Sequence, residues 1–194
     1  MDHEPTYFEI FLTKLAFRLY DKSVYKAFAD CIPLKGDEEV LDFGCGLGTV
    51  AYYVAKRLTN GRLSCLDISR RWLDVCRKTL KDYDNITYLQ AEAPKLPENS
   101  FDTVYCHFVL HDIPKADLET LFPALIKSIK PDGVFVFCEP LKEAEKLKII
   151  KRMAEHSGLR LKNSRITDVP LMGNSLISIY VKETHQKYHH YEVR

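Results

Sequence analysis

Ten residues constrain this chain more than any other feature: Val40-Leu41-Asp42-Phe43-Gly44-Cys45-Gly46-Leu47-Gly48-Thr49. A short apolar run ends in an acid, and three glycines then alternate with larger residues before a helical pattern begins. Alternating glycines permit positive φ and let another molecule approach the backbone closely. A helix that starts directly behind them points its first N–H groups into the same gap. A second acid, Asp67, closes the next apolar run 19 residues beyond Gly48 and suits the hydroxyls of a ribose. The pattern predicts a pocket for an adenosine-containing molecule.

From residue 36 onward strand and helix patterns alternate. Strands are expected at 39–43, 62–67, 85–90, 101–109 and 134–138, and helices at 49–58, 70–83, 115–129 and 141–156. Pro131 and Gly133 punctuate a turn before the apolar run Val134–Cys138, which reads as a central strand covered on both faces. Such alternation argues for βαβ units around a parallel sheet. The end differs: segments 159–169 and 175–182 are strand-like with no room for a helix between them, so they should pair antiparallel. The first 35 residues stand apart. Phe8, Phe11 or Leu12, Leu15 and Leu19 form a helical stripe, read either as packing on the core or as a lid over the pocket. Residues 1–35 are therefore taken as a helical lid or cap, 36–184 as one domain, and 185–194 as a polar tail.

Composition narrows the function classes. Twenty-eight Lys and Arg against 27 Asp and Glu leave a net charge of +1, which gives no global field for nucleic acid. The basic group Lys142, Lys146, Lys148, Lys151 and Arg152 reads as the solvated face of a helix. No apolar run approaches the roughly 20 residues of a membrane span. Asp2, Glu4, Lys14 and Arg18 break any secretory pattern at the N-terminus. Six cysteines with no C-x-x-C pair read as reduced, mostly buried thiols, and the expected location is cytoplasmic. Cys45 reads as a small space-filling residue.

The glycine spacing by itself leaves two cofactor classes open, because a dinucleotide loop reads G-x-G-x-x-G and Thr49 stands where its third glycine would fall. The neighbouring segments separate them. Val40–Thr49, Asp67, the run Gln90–Asp102, Val109-Leu110-His111-Asp112-Ile113 and Ile129–Gly133 together resemble the ordered motifs of class I S-adenosylmethionine-dependent methyltransferases, in particular the small-molecule group of ubiquinone/menaquinone-type enzymes. The resemblance covers residues 36–140. It implies a three-layer αβα Rossmann-like fold with a seven-stranded, mostly parallel sheet in the order 3-2-1-4-5-7-6 and strand 7 antiparallel. It implies S-adenosylmethionine as cofactor and S-adenosylhomocysteine as product.

Carried over by position, the resemblance puts Gly44 and Gly46 along the methionine part, with their N–H groups near its carboxylate, and counts Phe43 and Gly48 among the cofactor-binding residues. Asp42 would hold the ammonium end, Asp67 both ribose hydroxyls, and Ile68 the adenine face. Glu92, replacing the commoner Asp, and Ala93 would meet the adenine edge. The carbonyl of His107 would meet the ammonium, and Tyr20 would reach in from the lid.

Methyl transfer from a sulfonium is an in-line displacement on an activated carbon, so alignment and exclusion of water supply much of the rate. A phenol, hydroxyl or amine acceptor can also need a base. His111 is the catalytic candidate, at the carboxyl edge where open α/β sheets bind ligands; the competing reading has Leu110-His111 simply starting the next helix. Glu139-Pro140 ends strand five on the same edge. Cys106, His107 and His111 fall on opposite strand faces, and no metal site is expected. The partner expected is a small-molecule acceptor, with a protein acceptor left open. Two other functions compete: a nicotinamide-dependent oxidoreductase, suggested by Tyr52 and Lys56 in a Tyr-x-x-x-Lys pair, and a non-catalytic subunit that binds the cofactor.

Overall fold

A computed structural model describes residues 4–91, 95–170 and 172–183. The chain opens with α1 (Tyr7–Tyr20), a π-helical turn (Asp21–Lys26) and the short α2 (Ala27–Ala29). There follow β1 (Glu39–Phe43), α3 (Thr49–Arg57), β2 (Arg62–Asp67), α4 (Arg70–Thr79), β3 (Ile86–Gln90) and β4 (Phe101–His107). The second half holds α5 (Lys115–Lys127), β5 (Ile129–Pro140), α6 (Ala144–His156), β6 (Leu159–Val169) and β7 (Gly173–Lys182). The sheet runs β3-β2-β1-β4-β5-β7-β6. β1 to β5 pair in parallel, and β7 lies antiparallel to both β5 and β6. This is the architecture expected above.

Period-two alternation along the central strands builds two apolar layers. Val40, Cys65, Tyr105, Val136 and Cys138 face α2, α3 and α4. Leu41, Leu66, Val104, Cys106, Phe135 and Phe137 face α5 and α6. On the second face the rings of Phe122 and Phe135 meet edge-on at 5.5 Å, and Phe137 stacks on Tyr180 at 6.1 Å. Each such fully buried side chain is worth about 1.5–3 kcal/mol over exposure. β6 is the outer edge and mostly exposed, with Arg160, Lys162 and Arg165 along it. Charged side chains there discourage another strand from adding.

Two boundaries moved. The helix expected over 115–129 stops at Lys127, and Ile129 already begins β5. The Pro131–Gly133 turn is a bulge inside β5: Phe101 pairs with Ile129 but Thr103 pairs with Val134, and Asp132 takes φ 63°. Turn chemistry in the sequence marks this kink correctly but cannot tell a bulged strand from a loop.

The α1 stripe is also corrected as to packing on the core. Phe8 is 67% and Leu19 63% exposed, and Phe11, Leu12 and Leu15 face solvent with them. The opposite side of α1 does the packing, with Ile10 and Phe17 against Leu47, Trp72 and Val75. Chain order reverses between β1 and β4, so the β1–β4 crevice at the carboxyl edge is the switch point where open α/β sheets take ligands. The loop after β1 lies there.

Candidate functional site at the glycine loop

The loop is stapled to the end of β2. The N–H groups of Gly44 and Cys45 both donate to the Leu66 carbonyl, at 2.8 and 3.0 Å, and Gly48 N–H donates to the Cys45 carbonyl at 2.9 Å. Gly44, Gly46 and Gly48 all have positive φ: 77°, 53° and 83°. Their reasons for being glycine differ. A Cβ on Gly44 would stand 2.5 Å from a Val109 methyl, and one on Gly48 2.8 Å from the Cys76 sulfur. A Cβ on Gly46 would meet nothing within 4 Å. Gly46 therefore borders the open space, while its two neighbours seat the loop on β4's end and on α4.

Asp67, 7% exposed, ties this open point to the next helix. One carboxylate oxygen accepts from Gly46 N–H and the other from Ser69 N–H, both at 2.9 Å. Burial raises its pKa, against the lowering from those two backbone donors. A carboxylate offers about four lone-pair sites, so the two oxygens retain capacity for a diol. Ile68, next in sequence, is 37% exposed and offers an apolar surface beside it.

Other sequence candidates sit differently. The N–H groups of Gly44 and Gly46 are engaged inside the protein, on Leu66 and Asp67, so they are not the donors expected for a ligand carboxylate. The first intrahelical bond of α3 runs from Tyr52 N–H to the Gly48 carbonyl at 3.0 Å. The turn before it carries the helix's intrinsically free donors. The Phe43 side chain points into the α5/α6 layer. Asp42 is 2% exposed beneath the loop; burial raises it well above the usual carboxylate range, and the neighbouring Tyr105 hydroxyl pulls it back only in part. Tyr20 ends α1 half-buried, its carbonyl accepting from the Ser23 hydroxyl at 3.3 Å. Glu92 and Ala93 lie outside the described residues.

At the mouth of β4 two histidines take opposite environments. The His107 imidazole packs between the rings of Tyr25, Phe28 and Phe108, at 5.7, 4.7 and 4.5 Å. Removal from water lowers its pKa to about 3, so it stays neutral. Phe108 follows with φ 57°, and this kink turns the chain out of the sheet. His111 stands in the turn after β4, and the helix begins only at Lys115, which replaces the reading of His111 as a helix start.

His111 Nδ1 meets Glu139 Oε2 at 2.5 Å, and Nε2 lies 3.3 Å from Asp112 Oδ1. Glu139 is fully buried, and its Oε1 also accepts from the N–H groups of Val109 and Leu110 at 3.0 and 2.8 Å. Loss of water lowers the His111 pKa, but the hydrogen bond and charge of Glu139, with Asp112 and Glu143, outweigh it and leave the group above its ordinary value. Cys106 and His107 do fall on opposite faces of β4, in the two separate apolar layers.

Two further features escaped the sequence. Glu4 reaches across to the start of α4, accepting from the Ser69 hydroxyl at 2.7 Å and from Arg70 and Arg71 N–H at 3.0 and 3.2 Å. Those donors hold its carboxyl below the usual range, the Ser69 hydroxyl most. Cys45 is no mere filler: its sulfur clusters with those of Cys65 and Cys76, and the Cys76 thiol is drawn down to about 5 by the other two. No local pattern links positions 45, 65 and 76.

A family model described as a methyltransferase domain matches residues 40–133. The chain is 30% identical over 123 residues to a demethylmenaquinone methyltransferase of Tropheryma whipplei, covering 62% of this chain and 49% of that protein. It is 32% identical over 124 residues to the ubiquinone/menaquinone biosynthesis C-methyltransferase UbiE of Wigglesworthia glossinidia brevipalpis, covering 58% of this chain and 48% of that one. The chain thus spans about half the length of the curated relatives it matches. A solved S-adenosylmethionine-dependent methyltransferase from Aquifex aeolicus aligns with a TM-score of 0.66 at 22% identity, over 88% of this chain and 96% of that one. Sheet order, antiparallel β7 and the loop–acid pair define the class I methyltransferase fold. The chain has the fold of the class I S-adenosylmethionine-dependent methyltransferases, and over residues 40–133 it is similar in sequence to a methyltransferase domain.

Proposed function

We propose that this protein transfers the methyl group of S-adenosylmethionine to a nucleophile on a small molecule. The observation that carries the reading is the Gly46–Asp67 unit: a glycine facing open space whose N–H holds, at 2.9 Å, the acid that ends β2. In the bound state the cofactor supplies a methyl group on a sulfonium, already activated for displacement. Asp67 and Ile68 hold the ribose and adenine ends, and the first turn of α3 and Asp42 hold the amino-acid end. Occupation by an ammonium group would favour the ionised form of Asp42 that burial alone opposes. The cluster of Tyr25, Phe28 and His107 excludes water beside the reacting centre.

His111 is the base in this reading and Glu139 its positioning partner. Glu139 accepts from Nδ1–H, so the proton of an acceptor passes to Nε2, where Asp112 Oδ1 at 3.3 Å stabilises the imidazolium that forms. One relative is named for C-methylation in ubiquinone/menaquinone biosynthesis and another as a demethylmenaquinone methyltransferase, and that supports an electron-rich aromatic hydroxyl compound as acceptor: loss of the hydroxyl proton loads electron density onto the neighbouring ring carbon. The six cysteines are free thiols, in keeping with a reducing cytoplasm. No described helix is long and apolar enough to cross a membrane.

The oxidoreductase alternative loses its motif, because Tyr52 and Lys56 lie on α3, directly after the glycine loop, with Lys56 exposed on its outer side. Calorimetry with S-adenosylhomocysteine and with NADH tests the cofactor, and a panel of quinols, phenols, thiols and amines with labelled S-adenosylmethionine tests the transfer. Binding of S-adenosylhomocysteine with label appearing in a phenolic or quinol acceptor is expected. NADH binding without a response to S-adenosylhomocysteine would overturn the reading, and cofactor binding without transfer to any acceptor would favour the non-catalytic subunit. Asp67→Asn, which keeps one carbonyl acceptor for the loop, should weaken S-adenosylhomocysteine by about 1–3 kcal/mol, roughly five- to 150-fold.

A further inference from the structure

We propose that Cys45, Cys65 and Cys76 form a three-thiolate site for one thiophilic d10 cation of the zinc class, set beneath the glycine loop. The three sulfurs come from three different elements that meet in the apolar layer beneath the loop: the loop itself, β2 and α4. They lie within 4.8 Å of one another. A zinc–thiolate bond of about 2.3 Å sets sulfur–sulfur separations of about 3.8–4.0 Å in tetrahedral or trigonal geometry. Closing onto an ion therefore asks for less than about 1 Å of contraction, within the reach of side-chain rotation.

The donor set selects the metal. Three thiolates favour zinc and its soft congeners and disfavour calcium or magnesium, which want oxygen. Cys65 and Cys76 are fully buried and Cys45 is 6% exposed, so the path in runs past the loop, beside the open face of Gly46. The other three cysteines stand apart. Cys31 bonds the Ala27 carbonyl and faces Arg165 near the β6 edge, Cys106 lies in the opposite apolar layer, and Cys138 is on β5. On binding, three S–H protons pass to solvent and three sulfur–metal bonds form, with no change of oxidation state. A fourth position on the Cys45 side remains for water. An ion held this way would tie the loop to β2 and α4 and stiffen the pocket that the loop, Asp67 and Ser69 shape.

Cadmium is the probe, because thiolate-to-cadmium charge transfer reports the number of bound sulfurs in the ultraviolet. The reduced full chain, titrated with cadmium alone, should saturate at one equivalent with three-thiolate intensity, and added zinc should compete. The variant carrying Cys31→Ala, Cys106→Ala and Cys138→Ala should keep that intensity, whereas Cys65→Ser and Cys76→Ser should each lose about a third of it. Should the substituted chains fail to fold, the cadmium-113 resonance of the unsubstituted protein counts the sulfurs directly. Three sulfurs bear the proposal out. No saturation at one equivalent, two or fewer sulfurs, or a band unchanged in Cys65→Ser and Cys76→Ser would overturn it. Neither cofactor nor acceptor enters this experiment, so its result is independent of the methyltransferase reading.

Discussion

Gly44 and Gly46 look alike in the sequence and do different work in the structure. Gly44→Ala would drive a Cβ into Val109 at 2.5 Å while holding φ at 77°. It should cost about 1–3 kcal/mol of stability, seen as a lower urea midpoint. Gly46→Ala meets open space and pays only for its φ of 53°, about 1–2 kcal/mol. Its larger effect should be on S-adenosylhomocysteine binding, because the new methyl projects where the ligand approaches. Calorimetry on both variants separates loop seating from ligand contact. The His111–Glu139 pair is tested by pH. A base must be neutral, so turnover should rise with pH along a limb centred above about 6.5, the ordinary histidine value. Glu139→Gln removes the charge that raises His111 and leaves desolvation to lower it, so the limb should move to lower pH and maximal turnover should fall. A limb that stays in place would show that another group is the base.

At the scale of elements, α4 is started twice over. Its own Ser69 side chain accepts from Trp72 N–H at 3.1 Å, and Glu4 from the N-terminal segment covers the N–H groups of Arg70 and Arg71. A carboxylate at a helix N-terminus is favoured by the helix dipole as well as by hydrogen bonding. The same contact fastens the segment leading into α1 next to Asp67. Glu4→Ala should therefore raise amide exchange along α1 while leaving β1, β4 and β5 protected, which hydrogen-exchange mass spectrometry can read. Equal exchange in both proteins would show that Ile10 and Phe17 alone hold α1 down. The helix–strand alternation and the closing hairpin were legible from periodicity because each depends on burial repeating every two or 3.6 residues. The bulge in β5 was not, since Pro131 and Gly133 promise a change of direction without saying whether the strand resumes pairing.

For the whole molecule, buried Asp42, half-buried His111 and exposed Glu4 set opposing pH dependences. Asp42 has a raised folded-state pKa, so its contribution to stability declines as pH rises from the ordinary carboxylate range, about 4, through the folded value. His111 is also raised, and its stabilisation is fully present below about 6.5 and lost as pH climbs through its folded pKa. Glu4 is lowered and works the other way, losing its contribution as pH falls. His107, held at about 3, and the Cys76 thiol, drawn to about 5, oppose the Asp42 and His111 trends, since their contributions fall as pH drops below their ordinary values, so the melting temperature of single variants separates the contributions. Asp42→Asn should raise it at neutral pH and flatten its dependence, while weakening cofactor binding if Asp42 meets the ammonium group. A variant no more stable than the parent at pH 7 would show that Asp42 is not a buried cost.

The sequence alone determined the class of fold and the glycine–acid pair, because both rest on local spacing: an apolar run of strand length, glycines where φ must be positive, and an acid closing the next strand. It also singled out His111. Only the tertiary structure decided what those residues touch. It spent the Gly44 and Gly46 N–H groups inside the protein, turned the α1 stripe to solvent, joined His111 to Glu139 and drew three cysteines from loop, strand and helix to one point. The physical reason is range: periodicity encodes which face of an element is buried, whereas partners 20 to 70 residues apart are chosen by how the layers close on one another.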